Sequence, residues 1–438
     1  MKRIYSDYAY GSGPRSGCWW DETIEAPEWP QLEGDLNTDV AIIGGGFTGV
    51  SAALHLAEAG ISVALLEAHY PGWGASGRNG GFCCLGGSMI TEKALSRRIG
   101  SNAASEYWQA EQDAVSFAEE LINRFDIDVD RHSNGETKLA HRPKDMEDLR
   151  KSAEAISSSG AEPILIEKKD LAAHGLGGPF HGALTLPIGF GLNPRKYLFG
   201  IAEAAGNNGA RLFRNAPVSE IKRLSETFQL TTPSGTVSAR RVIIATNGYS
   251  SEDIPDWLRG RYMPAQSNVL VTRPLTQEEL DAQGWTSVQA SYDTRNLLHY
   301  FRLMPDRRFL FGMRGGLQSS PQAEQRARAN NRRDFEQMFP AWRNVESPHS
   351  WSGMVCIARN RLPFVGQVPG HPGLYAGMAY HGNGVAMGSY SGMLLSELTQ
   401  GRDRYPDAMK QPLATFPLAS IRRIFMPPLY LARALADR

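Results

Sequence analysis

Residues 39–67, DVAIIGGGFTGVSAALHLAEAGISVALLE, restrict the possible folds more than any other part of the chain. The opening DVAII is a short apolar run of the kind that forms a buried parallel strand. FTGVSAALHLAEAG then has helical character and stops at Gly60, a residue suited to the position after a helix end. SVALLE is a second buried strand and completes a βαβ unit. Gly44, Gly46 and Gly49 fall at G-x-G-x-x-G spacing between the first strand and the helix. Gly44 permits the tight turn, Gly46 lets a pyrophosphate approach the backbone, and Gly49 lets helix and strand pack closely. Phe47 and Thr48 open the helix, whose free N–H groups and positive dipole end face the phosphates. Glu67, about 20 residues on and followed by Ala68, ends the second strand where an acid bonds ribose hydroxyls. The glycine motif alone is weak; strand, helix, second strand and acid at the right spacing predict a dinucleotide site.

Length and charge bound the rest. A chain of 438 residues buries a sizeable core in two or three units. With 46 basic and 46 acidic residues the net charge is zero, so nothing in the total points to nucleic acid. Cys18, Cys83, Cys84 and Cys356 form no C-x-x-C pair and no zinc spacing, which supports neither a disulfide framework nor a metal site. That cysteine usage and an N-terminus without an apolar leader predict a cytoplasmic protein. No run approaches the length of a transmembrane helix.

Along the chain the pattern is mixed α/β, then strand-rich, then α/β again. Residues 1–35 read as an irregular arm stapled by Trp19, Trp20 and Trp29. SNVLVTRPL, LLHYFRLMP and RFLFGMRG alternate as antiparallel strands do. This order predicts a domain interrupted by an inserted one. The divisions are a nucleotide-binding domain of residues 36–110, 194–260 and 352–400, a second domain of 111–193 and 261–351, and a helical tail of 401–438.

Residues 73–82, WGASGRNGGF, place four glycines and a cation just after the βαβ unit. Glycine costs backbone entropy on folding, so the cluster reads as backbone lying against a large ligand rather than as a flexible loop. With EGDLNTDVAIIGGGFTGVSAALHLAEAG and LLEA before it, this stretch resembles the FAD-dependent amine and amino-acid oxidases of the D-amino-acid oxidase/glycine oxidase superfamily. It is similar above all to the γ-glutamylputrescine oxidase branch, whose G-A-S-G-R-N-G-G loop stands here at 74–81. The resemblance continues through ATNGYS, YFRLMPDRRFLFG, WSGMVCIARNRLPFVG and YHGNGVAMGSYSGMLLSEL, and so spans nearly the whole chain.

The resemblance implies an α/β fold: a Rossmann-type FAD-binding domain with an inserted antiparallel-sheet substrate domain. It implies that Gly74, Ala75, Ser76, Asn79, Gly80 and Gly81 lie along the pyrophosphate and flavin, with Arg78 near phosphate or flavin. Val218 would sit beside the adenine, and Thr246, Asn247 and Gly248 would end a second nucleotide-contacting strand. Gly382, Asn383, Gly384 and Val385 would cap the other flavin edge, with a helix from Val385 aimed at the ring. The family often has His where Asn383 stands and a smaller residue where His381 stands, so this chain departs beside the reaction centre. FAD is expected to be non-covalent, with Cys356 a small packed residue; Cys83 and Cys84 are expected to be buried thiols rather than a vicinal disulfide.

The expected reaction is hydride transfer to flavin from the carbon beside an amine nitrogen. The resulting imine hydrolyses to an aldehyde or keto acid, and O2 is reduced to H2O2. Arg78, Arg314 and His381 are the candidate catalytic cations, each with a structural ion pair as the competing reading. Tyr262, His299, Tyr300 and Tyr380 are candidate substrate contacts, although an aromatic on a strand is more often part of the core. Two alternatives stay open. One is an amino-acid dehydrogenase of the D-amino acid, proline or sarcosine type that passes electrons to a quinone. The other is a flavin-binding subunit without turnover of its own. The partner is a small amine or amino acid; the basic, apolar tail reads as docked on the body in preference to touching a membrane, and the oligomeric state is open.

Overall fold

In a computed structural model that describes residues 1–157, 162–316 and 318–437, strand Leu36–Ile43 lies between Val63–Leu66 and Gly235–Ile244, parallel to both. The sheet continues to Arg211–Phe213 on one side and to Leu374–Met378 and Phe364–Gln367 on the other. Its central strands read as unbroken apolar runs because both faces are covered. Val40 and Ile42 join a core built with helices Phe47–Glu58, Ser101–Arg124, Pro194–Asn207 and Ala386–Thr399. Ala41 and Ile43 face the opposite core, under the hairpin Glu220–Leu224 and Thr227–Thr232. Ile43 is in register with Leu66 and with Ile244, so three strands end at one level. Glycine turn, acid and Ala245–Thr246 therefore share one sheet edge, the usual ligand edge of an open α/β sheet.

A second eight-stranded sheet runs His349–Ala358, Tyr262–Val271, Phe309–Arg314, His299–Leu303, Ala290–Asp293, Glu136–Leu139, Gly182–Leu186 and Ile164–Glu167. All neighbours are antiparallel except Ala290–Asp293 against Glu136–Leu139, which is parallel because a long excursion separates them in the chain. Phe301, Phe309 and Phe311 point to one face, where Phe335, Phe339 and Trp342 of the segment 321–342 bury them. Tyr300, Gly312 and Arg314 take the other face by strand alternation. A side chain at Gly312 would overlap the Tyr300 ring, which lies across that strand.

Two expected boundaries shift. The cut at 110/111 falls inside the single helix Ser101–Arg124, whose Ala114, Ala118 and Leu121 pack in the nucleotide-domain core. Residues 352–358, assigned to the nucleotide domain, are strand-paired along Tyr262–Val271 in the second sheet.

The arm is docked: Trp20 Nε1 donates to Asn79 O at 2.8 Å, and Arg15 Nη1 donates to Gly72 O and Trp73 O at 2.8 and 2.9 Å. Asp21 pairs with both Arg15 and Arg195. The tail is docked too. Asp437 accepts from the Asn296 and Leu297 amides at 2.7 and 3.0 Å, and Arg422 pairs with Glu252 at 2.7 Å. Among the described residues no helix is long and apolar enough to cross a membrane.

Candidate active site

Two adjoining cavities lie between the sheet edge and the second sheet. The first runs from Gly44, Gly46 and Glu67 past Val218 and Thr246 to Cys356, Gly382 and Val385. At its start Glu67 is half-buried and accepts from the Gly45 amide at 2.8 Å and the His69 amide at 2.9 Å. Burial still holds its carboxyl above the ordinary range. Gly44 has φ +108°, and a Cβ there would stand 2.8 Å from Ala245 O; a Cβ on Gly49 would overlap the Gly44 carbonyl oxygen. Ser76 Oγ accepts from the Phe47 amide at 3.0 Å, which ties the glycine loop to the helix N-terminus. The helices Phe47–Glu58 and Ala386–Thr399 pack along each other, with Ser51 Oγ donating to Ser389 O at 2.6 Å, so both bring their N-terminal ends to this cavity.

The loop at 74–81 is braced from within. Asn79 Nδ2 donates to Ala75 O and Ser76 O at 3.2 and 2.9 Å, and its Oδ1 accepts from the Gly81 amide at 2.8 Å. Arg78 is 2% exposed. Its Nε donates to Trp73 O at 2.7 Å and its Nη1 to Ser352 O at 3.3 Å, while Nη2 has no partner. Burial lowers its pKa. His69 stacks on Trp73 at 3.9 Å, and burial, with Arg3 and Arg78 adding repulsion, pushes it down to about 4.

The second cavity is floored by the second sheet. Tyr300, Ser267 and Arg314 line it, with Phe82, Cys84, Glu136, Tyr292 and Leu298 around them. Tyr300 Oη and Ser267 Oγ are 2.9 Å apart, and burial raises the phenol to about 12. Arg314 Nη2 donates to His381 O at 2.9 Å, and burial lowers its pKa. Ala75, Asn79, Met354, Val355, Gly382 and Val385 line both cavities and form the seam between them.

A family model described as FAD dependent oxidoreductase matches residues 39–398. The chain belongs to the family of FAD-dependent oxidoreductases. It is 32% identical over 400 residues to a probable oxidoreductase, OrdL, of Rhizobium meliloti (strain 1021), covering 90% of each chain. It is 29% identical over 405 residues to gamma-glutamylputrescine oxidoreductase of Escherichia coli (strain K12), covering 90% of this chain and 91% of that one. The crystal structure of glycine oxidase from Geobacillus kaustophilus superposes with a TM-score of 0.73 at 22% identity, over 87% of this chain and all of that one, which shows a shared fold.

The residues present fit FAD. The glycine turn admits no side chain, Glu67 ends the second strand at the ribose position, and Arg78, which lines the second cavity, keeps a buried Nη2 donor without a partner. Of the residues expected around the cofactor, Gly44, Gly46, Phe47, Thr48, Glu67 and Ala68 line the first cavity. So do Gly74, Ala75, Ser76, Asn79, Val218, Thr246, Asn247, Gly382, Gly384 and Val385. Arg78, Gly80 and Asn383 line the second.

Gly81 and Gly248 line neither. A Cβ on Gly81 would overlap Leu192 O, and Gly248 packs on Met354 O, so close chain contact explains both glycines. Gly49 serves the helix–strand contact already described.

Three expected site residues are corrected. His381 lines neither cavity: its Nδ1 donates to Gly87 O at 2.9 Å and its Nε2 accepts from the Ala358 amide at 3.1 Å. Burial first, then Arg314, pushes it down to about 4, so it is a neutral brace and not a cation. His299 sits on the core face against Phe311, with Nδ1 2.9 Å from Asp293 and Nε2 3.3 Å from Asp334. Adjacent strand residues face opposite ways, so His299 and Tyr300 cannot both face the site. Tyr262 is fully buried and donates to Ser250 O at 2.6 Å. Tyr380 lines the first cavity, not the second, with its Oη 2.9 Å from Thr48 Oγ1.

All four cysteines are free and buried; Cys356 lines the first cavity with its thiol pushed up by burial. Arg3 and Tyr10 of the arm, Tyr249, Ser267, Tyr292 and Glu136 also line the cavities and were not expected. The arm residues carried no motif, and the strand residues alternate in pattern without showing which face is open.

Proposed function

We propose that this chain is an amine or amino-acid oxidase that uses non-covalently held FAD. The observation that carries the reading is the seam. A channel of nucleotide-binding character opens, across Ala75, Asn79, Gly382 and Val385, into a separate chamber floored by Tyr300 and Arg314. FAD, when bound along Gly44, Glu67, Ala75 and Val385, would supply a two-electron acceptor for the hydride on the carbon beside a substrate nitrogen, with O2 as the final acceptor. The chain's own groups do the rest. Phe82, Val269, Leu298 and Tyr300 give the chamber an apolar wall that disfavours an ammonium ion, so the reacting nitrogen enters neutral. Arg314, held by the His381 carbonyl, supplies positive potential at the seam and orients an anionic group of the substrate. The thiol of Cys356, kept protonated by burial, is a poor nucleophile, which supports non-covalent binding.

The test is anaerobic titration of the purified yellow protein with a panel of amines and amino acids. Bleaching of the flavin band is expected with a member of that panel, followed by O2 uptake and peroxide on aeration. Bleaching without O2 uptake would move the assignment to a dehydrogenase. A protein that binds no flavin overturns the reading.

A further inference from the structure

The cofactor channel is lined by a cation from outside the family match. That match covers residues 39–398, and the arm lies before it. Arg3 and Tyr10 of the arm line the first cavity with Glu67, His69, Trp73 and Tyr249. Among the described residues Arg3 is the only lysine or arginine on that wall. No carboxylate among them pairs with it: its guanidinium stands 4.3 Å over the Tyr10 ring, and its Nη2 is 3.9 Å from the Met1 sulfur. Glu67, the acid of the same cavity, is taken by the Gly45 and His69 amides. Tyr10 is 3% exposed, and no described group accepts its hydroxyl proton.

The arm is pinned to both sides of the channel. The Lys2 amide donates to Asp253 Oδ1 at 2.7 Å, and Lys2 O accepts from the Glu252 amide at 2.8 Å. On the second sheet, Tyr5 Oη donates to Pro264 O at 2.9 Å, and Pro14 O accepts from the Ser352 amide at 2.8 Å. Between these anchors the Tyr10 ring packs edge-on against Tyr249 at 6.4 Å, and Tyr249 against Trp73 at 5.6 Å. Tyr10 is thus a fixed platform for the Arg3 guanidinium.

A pyrophosphate in a cleft screened from water needs positive partners. Helix N-termini supply partial charge only. Of the other ionisable groups on the first cavity wall, Glu67 has the wrong sign and His69 is held neutral. Arg3 is left as the full positive charge that no acid of the described chain has neutralised.

We propose that the N-terminal arm is a clamp on the cofactor, in which Arg3, seated on Tyr10, binds a phosphate of FAD. The inference rests on the FAD reading and extends the cofactor site to a segment beyond the family match. It makes retention of FAD depend on the arm.

The test is release of flavin from the holoenzyme after dilution, followed as the rise in flavin fluorescence at low and at high ionic strength. Wild type is compared with Arg3→Ala and Arg3→Lys. Circular dichroism and the melting temperature in excess FAD show that each variant is folded. Arg3→Ala is expected to release FAD about tenfold faster than wild type at low ionic strength, and salt narrows the difference. Arg3→Lys recovers part of the loss.

Release at the wild-type rate in Arg3→Ala overturns the inference. So does faster release that salt leaves unchanged and Arg3→Lys does not rescue, because lost packing would then account for it. A wild type that holds no FAD fails the functional reading, and the clamp with it, which the wild-type spectrum shows before any variant is compared.

Discussion

The Arg78 guanidinium lies 4.3 Å over the Trp73 indole and donates Nε–H to the carbonyl oxygen of that same residue at 2.7 Å. The contact closes the loop 73–78 on itself, and Trp351 Nε1 pins it by donating to Arg78 O at 2.8 Å. Arg78→Ala is expected to remove one of the two arginine donors on the Trp73 carbonyl, the donor to Ser352 O and the stacking on the indole, and to destabilise the protein by about 2–4 kcal/mol. Arg78→Lys, which keeps charge but not the fork, falls between. Thermal melts with and without added FAD check this; an unchanged melt and full flavin content in Arg78→Ala would contradict it.

Gly49 is the second test. Gly49→Ala places a methyl group on the Gly44 carbonyl oxygen, and neither backbone can yield without moving the helix Phe47–Glu58 off its strand. The cost is about 1–3 kcal/mol. The expected readout is a lower flavin-to-protein absorbance ratio, because the helix N-terminus shifts with its first turn.

His381 gives a pH signature. Held at about 4 against an ordinary 6.5, it stays neutral in the fold while the unfolded chain takes up a proton. Its contribution is complete above pH 6.5 and falls as pH drops toward 4, by on the order of 3 kcal/mol. His299 acts the other way: against the effect of burial, Asp293 and Asp334 hold it above its ordinary value, so its contribution fades as pH rises through that raised value. The difference between wild type and His381→Gln isolates the first effect. Unfolding in urea at pH 5 and pH 7.5 is expected to show a shallower acid loss in His381→Gln, with turnover retained. Parallel profiles would remove His381 as the titrating group.

Arg314 is the cavity end of the same connection. Arg314→Ala removes the positive charge at the seam and the bond to His381 O. KM for a carboxylate-bearing amine is expected to rise about ten- to a hundredfold, with a smaller effect on an uncharged amine. Arg314→Lys recovers part of it. An equal loss for both substrates would assign Arg314 to the loop's architecture.

The sequence by itself determined the βαβ unit, the buried parallel strands and the nucleotide turn. Each depends on residues close in the chain: periodicity decides helix or strand, and Gly44, Gly49 and Glu67 have local geometric reasons to be what they are. Tertiary structure decided which side chains meet at the chamber. Alternation along HYFRL showed that His299 and Tyr300 part company; only the packing of Phe335 and Phe339 on one face settled that Tyr300 is the one left facing the cavity. His381 looked like a cation beside the flavin until Gly87 and Ala358, both distant in sequence, took its two nitrogens. Glu136 carried no motif at all, and strand pairing across the sheet brought it to the cavity that holds Arg314. Local spacing encodes backbone conformation, whereas burial, pKa and partnership are properties of contacts between remote segments, which exist only once the two sheets have closed on each other.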